Sequence, residues 1–215
     1  MSSIRIWGLL AAAAVAGCAS LGAPPPVSYD IRGEIHDGVY SSPEGSFSLQ
    51  LPELWTPGAR VQDEVRGEGT VHVSFADDLC REFALVRNPG DLGGQTLETW
   101  VHRNVDQELA SVGAEIGESR TLPTRYGEGV YLRYRLPGGA PCEVLQIDDG
   151  EGRELRPDAD VAMVVLYRDG VLYRFAYFLG ISEGLGDHAF IQRGPVEELL
   201  ETFLAGFRIV SEPGS

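Results

Sequence analysis

Apolar and polar positions alternate along the chain with two different periods, and the switches between them mark its elements. Phe47, Leu49 and Leu51 alternate with polar residues as on a half-buried strand, followed by Leu54-Trp55 and a Pro57-Gly58 turn. Val71, Val73 and Phe75 repeat the two-residue period, Asp77-Asp78 interrupts it, and Glu82 to Val86 resumes as the next strand. The period then lengthens. Leu97, Trp100, Val101, Val105, Leu109 and Val112 fall at helical spacing, which predicts a helix capped by Thr96 and stopped by Gly113. Val130, Leu132 and Tyr134 return to alternation. Val161–Arg168 and Val171–Leu179 flank Asp169-Gly170, a dipeptide suited to a type I′ hairpin turn. Pro195 opens a second helix with Val196, Leu199, Leu200, Phe203 and Leu204 on one face, and Phe207 to Val210 adds a short strand after Gly206.

Strands grouped in hairpins, with two helices set between them, predict an α+β fold. An antiparallel β-sheet of about six strands covered by two amphipathic helices buries both apolar stripes. A single domain is expected over residues 42–211. Residues 18–41, with Pro24-Pro25-Pro26 inside them, read as an extended Pro-rich membrane tether.

Residues 1–17 differ in kind. Arg5 precedes the apolar run Ile6 to Ala14, and Val15-Ala16-Gly17-Cys18 resembles the lipobox of bacterial lipoproteins. The run is too short to cross a hydrocarbon core of roughly 30 Å as a helix, which takes about 20 apolar residues. The resemblance implies a cleaved lipoprotein signal peptide at residues 1–17, lipidation at Cys18, and a membrane attachment through the lipid anchor. Ala19, where an aspartate is absent, implies the periplasmic face of the outer membrane. The alternative is an ordinary secretory signal cut nearby, with Cys18 incidental.

A formal charge of −15 excludes nucleic acid as a partner, because phosphates demand a basic surface. All 17 basic residues are arginines, which excludes Walker A loops, Schiff-base and pyridoxal enzymes, and Ser-x-x-Lys acyl enzymes. Once Cys18 is modified, Cys80 and Cys142 remain, and an oxidising envelope permits one disulfide between them. Two unpaired, buried thiols are the other reading.

The order of elements resembles the PsbP/Mog superfamily, carried by Phe47–Trp55, Leu97–Leu109, Val161–Leu179 and Val196–Phe207. The likeness covers most of Ser42 to Val210, and the acidic stretch Asp148 to Asp160 departs from it. It implies a PsbP/Mog-like α/β/α sandwich and a non-catalytic role in binding or assembly. No functional residue carries over, since the matching positions belong to the core.

Candidate chemistry is sparse. His102 and Asp106 lie one helical turn apart, but two ligands do not make a metal site, and His36, His72 and His188 are scattered. The acids around Asp148 to Asp160 lack an EF-hand register, and a solvated charged loop accounts for them. There is no Gly-x-Ser-x-Gly elbow. Catalytic, cofactor and metal residues are therefore assigned to none. One interaction patch is a candidate: Tyr131, Arg133, Tyr134 and Arg135, tyrosine and arginine being enriched at binding hot spots. Its alternative is tyrosines reaching the sheet margin while the arginines pair with surplus carboxylates. The expected function is an outer-membrane lipoprotein with a periplasmic, non-catalytic binding or accessory domain, whose partner is an envelope protein or a small envelope component. The alternatives are an envelope hydrolase using dispersed acids and a purely structural lipoprotein.

Overall fold

The computed structural model describes residues 28–51, 60–77, 81–141, 147–148, 154–155, 158–181 and 196–210. Backbone pairing starts well ahead of Ser42. Strands β1 (Ser28–Asp30), β2 (Glu34–His36) and β3 (Val39–Ser41) fall inside the stretch expected to be tether. Tyr40 is fully buried there, and Ile35 packs beside the same core. The tether reading of residues 18–41 is thus corrected: the fold reaches back to Ser28. Asp37 and Gly38, at φ 49° and 74°, turn β2 into β3.

Next come β4 (Phe47–Gln50), β5 (Arg60–Arg66), β6 (Thr70–Asp77) and β7 (Arg81–Pro89). Helix α1 (Leu97–Ser111) precedes β8 (Glu115–Thr124) and β9 (Gly127–Leu136). The short strands β10 (Ile147–Asp148) and β11 (Glu154–Leu155) pair only with each other among the described residues. The hairpin β12 (Asp158–Arg168) and β13 (Val171–Ile181) is followed by α2 (Val196–Gly206) and β14 (Phe207–Ile209).

Eight strands form one sheet in the order β1-β5-β6-β7-β13-β12-β9-β8, antiparallel throughout except for the parallel pair β1–β5. A second, four-stranded sheet runs β14-β4-β3-β2. The fold is mostly antiparallel sheet with two helices. It has more strands than the pattern predicted, and the helices do not cover the sheet alone.

Side chains on β12 show why. Val161, Met163 and Val165 face α1 with Val101, Val105 and Leu109, while Ala162, Val164 and Leu166 face α2 with Val196, Leu200 and Phe203. Successive residues of a strand point to opposite faces, so the helices lie on opposite sides of the sheet. On the α2 side the small sheet extends the cover: Tyr40, Phe47, Leu49 and Phe207 join Phe75, Phe83 and Phe175 in one core. Phe83 and Phe203 stack at 3.6 Å with planes 3° apart.

Candidate functional site

The β8–β9 hairpin turns through Arg125 and Tyr126. The Tyr126 amide donates to Thr124 Oγ1 at 3.1 Å, and that hydroxyl donates on to the Gly127 carbonyl at 2.8 Å. Held this way, the turn reaches across to the end of α2. That end leaves carbonyls unsatisfied, and α2 has no basic residue in its last turn to meet them. Arg125 Nη2 donates to the carbonyls of Leu204 at 3.2 Å, Ala205 at 3.3 Å, and Phe207, and Arg208 Nη1, just past the helix, donates to those of Ala205 at 2.7 Å and Phe207 at 2.8 Å. Tyr126 Oη also donates to the Phe207 carbonyl at 3.0 Å, and its ring meets the Phe207 ring edge-on at 5.6 Å.

Turn and helix end do not close on one another completely. Between them lies a cleft of about 310 Å³, lined by the Leu122–Tyr126 segment, Leu166, and Glu201, Leu204 and Ala205 of α2. Gly129 keeps room for its Leu166 side, because a methyl group there would come within 2.7 Å of Leu166 Cδ2. Leu122, Leu166, Leu204 and Ala205 make the lining largely apolar. Thr124 Oγ1, Arg125 Nη2 and Tyr126 Oη are engaged by the protein itself. Glu201 is exposed and has no hydrogen bond or ion pair among the described residues.

The patch expected at Tyr131–Arg135 does not assemble as one surface. Strand β9 alternates faces, so Tyr131, Arg133 and Arg135 lie on the α2 side, whereas Tyr134 packs on the α1 side. Both rings are buried, at 1% and 3% exposure. Arg133 donates to Asp160 from Nε at 3.2 Å and from Nη2 at 2.6 Å, and Arg135 Nε donates to Asp158 at 2.7 Å. The arginines thus take carboxylate partners, as in the alternative reading. Tyr131 lies beneath the Arg120 guanidinium, 4.4 Å from ring centre, and burial together with Glu197 and Glu118 pushes its phenol up to about 12.

The histidines stay apart. His102 Nδ1 and Asp106 Oδ2 are 2.8 Å apart on the outer side of α1, as their spacing implied. His72 faces away from Val71 and Val73 but is half-buried and not at the surface; burial, then Arg66, lowers its pKa. Among the described residues no three metal-ligating side chains gather, and no helix is long and apolar enough to cross a membrane. Cys18, Cys80, Cys142, His188 and most of the acidic stretch lie outside the described residues. Sequence reasoning missed the cleft. Its two walls are about 80 residues apart, and the one local hint was a Thr-Arg-Tyr-Gly turn between strands.

No protein-family model matches the chain, and no curated protein does either. Among solved structures, it is similar to cyanobacterial PsbP (CyanoP) from Synechocystis sp. PCC 6803, at 15% identity and TM-score 0.48, covering 83% of this chain and 96% of that one. It is also similar to a protein from Bacteroides thetaiotaomicron VPI-5482, at 12% identity and TM-score 0.44, over 84% of this chain and 51% of that one. A third is a protein of unknown function from Pseudomonas aeruginosa, PA94, a putative regulator, at 14% identity and TM-score 0.39, over 78% and 92%. At these values the likenesses carry no conclusion about what the chain does.

Proposed function

We propose that the chain is a lipid-anchored envelope protein whose PsbP/Mog-like α/β/α domain binds a ligand in the cleft beside α2 without catalysing a reaction. Cys18 attaches it at the periplasmic face of an outer membrane, and Cys80 and Cys142 form a disulfide. The observation that carries the binding reading is the lining of the cleft. Leu122, Leu166 and Leu204 offer apolar surface, while Thr124 Oγ1, Arg125 Nη2 and Tyr126 Oη are committed to the hairpin and to the end of α2. Concave, mostly apolar sites of this kind bind ligands by excluding water. The signal anatomy supports the anchor.

Two experiments test the two halves. Metabolic labelling with an alkynyl fatty acid is expected to mark the wild-type chain and not the Cys18→Ala variant; an unlabelled wild type removes the anchor. A photo-crosslinking residue at Thr124, on the cleft, is expected to capture a discrete envelope component in intact cells, while one at Arg103, on the outer side of α1, captures none. Identical patterns from both positions remove the cleft as the binding site. Alkylation with and without reductant tests the disulfide, which requires that both thiols become reactive only after reduction.

A further inference from the structure

We infer that the cleft selects a small apolar compound bearing a protonated amine. This rests on the binding reading above and names its ligand class. A volume of about 310 Å³ is at the small end of ligand sites, enough for one ring or a short chain and its head group. The head group is set by which charge at the cleft is free. Arg125 directs its Nη2 at three carbonyls at the negative end of the α2 dipole, two of which Arg208 also meets, and this offsets part of its charge. Glu201 is free, one helical turn from Leu204 on the same wall. Helix α2 carries Glu197, Glu198 and Glu201 and no basic residue, and of these Glu197 is met by Arg120. The formal charge of −15 adds a long-range field of the same sign, which concentrates cations and repels anions.

Apolar walls make that carboxylate more effective than one on open surface. A ligand whose body lies on Leu122, Leu166 and Leu204 displaces water from around the charge pair, and the pair interacts in a lower dielectric. An anionic ligand of equal shape brings a like charge to Glu201.

The test is calorimetric titration of the full chain carrying Cys18→Ala, which lacks acyl chains, with three compounds of one shape: 4-phenylbutylammonium, 4-phenylbutanol and 4-phenylbutyrate. The ammonium compound is expected to bind about tenfold tighter than the carboxylate, with the alcohol between them. Glu201→Gln, an exposed substitution that leaves the core untouched, is expected to abolish the ammonium compound's advantage over the alcohol and leave the alcohol unchanged. Equal affinities for the three compounds, or an ammonium preference that survives Glu201→Gln, overturn the inference. Alcohol binding with no charge preference overturns it while leaving the apolar binding site standing; absence of binding by all three overturns both.

Discussion

Tyr40 Oη donates to Asp63 Oδ2 at 2.7 Å, tying the small sheet to the large one through a carboxylate on an inward-facing position of β5. The same group accepts the backbone amides of Arg32 and Gly33, each at 2.7 Å. Burial, then the Asp63 bond, raises the Tyr40 pKa. Asp63→Ala strips three donors of their acceptor. It is expected to destabilise the protein by about 2–3 kcal/mol in urea denaturation, because hydrogen bonds to a charged group are worth more than neutral ones.

Phe203 is the second strong point. Its ring stacks on Phe83 and holds α2 to the sheet. Phe203→Ala is expected to cost about 3–5 kcal/mol, and Phe203→Leu less than half of that, since the leucine refills most of the space. Equilibrium unfolding of the two variants measures the difference.

Two carboxyl groups bend the pH profile in opposite directions. Burial holds the Glu82 pKa above its ordinary 4.5, with Arg60 opposing. A raised acid binds its proton more tightly when folded, so its effect is to lower stability as pH climbs from 4.5 through the folded value. Glu82→Gln is therefore expected to raise the Tm at pH 7 by about 2–4 °C. The Gly138 amide, then Arg135, holds Asp158 below 3.8. Its stabilisation is complete above that ordinary value and is lost as pH falls through the folded one. Asp158→Asn flattens the acid limb of the profile, which thermal melts from pH 2 to 5 follow.

Gly129→Ala addresses the cleft from beneath. The new methyl drives Leu166 Cδ2 out of its position, since the two atoms would otherwise be 2.7 Å apart. Expected outcomes are a loss of about 1–3 kcal/mol in stability and weaker binding of all three phenylbutyl compounds alike. A variant that binds them as well as wild type does would show that Leu166 does not shape the site.

What the sequence made legible follows from how local each signal is. Val101, Val105 and Leu109 lie within one helix and Thr96 and Gly113 flank it, and α1 forms as they predict: Thr96 Oγ1 accepts from the Thr99 amide and Gly113 takes φ 75°. Asp169-Gly170 likewise turns β12 into β13, at φ 50° and 77°. Asp37-Gly38 is the same dipeptide between Ile35 and Val39, yet the prolines upstream drew residues 18–41 together as a tether. Strand β8 had no legible period because it is an edge strand whose residues are mostly exposed, held by backbone pairing to β9. On β5 the inward positions are Val61, Asp63 and Val65, and the aspartate breaks the apolar alternation that would have announced the strand. The cleft needed the turn at Arg125 and the end of α2 to meet, which no local pattern encodes.

Strand β1 borders the large sheet on one side and β8 on the other. Seven spacings of about 4.8 Å separate them, roughly 34 Å before twist. Whatever grips the chain ahead of Ser28 therefore holds it by the rim remote from the mouth at Leu122 and Leu204. The breadth of the sheet thus separates the point where the described chain begins from the point where the cleft opens.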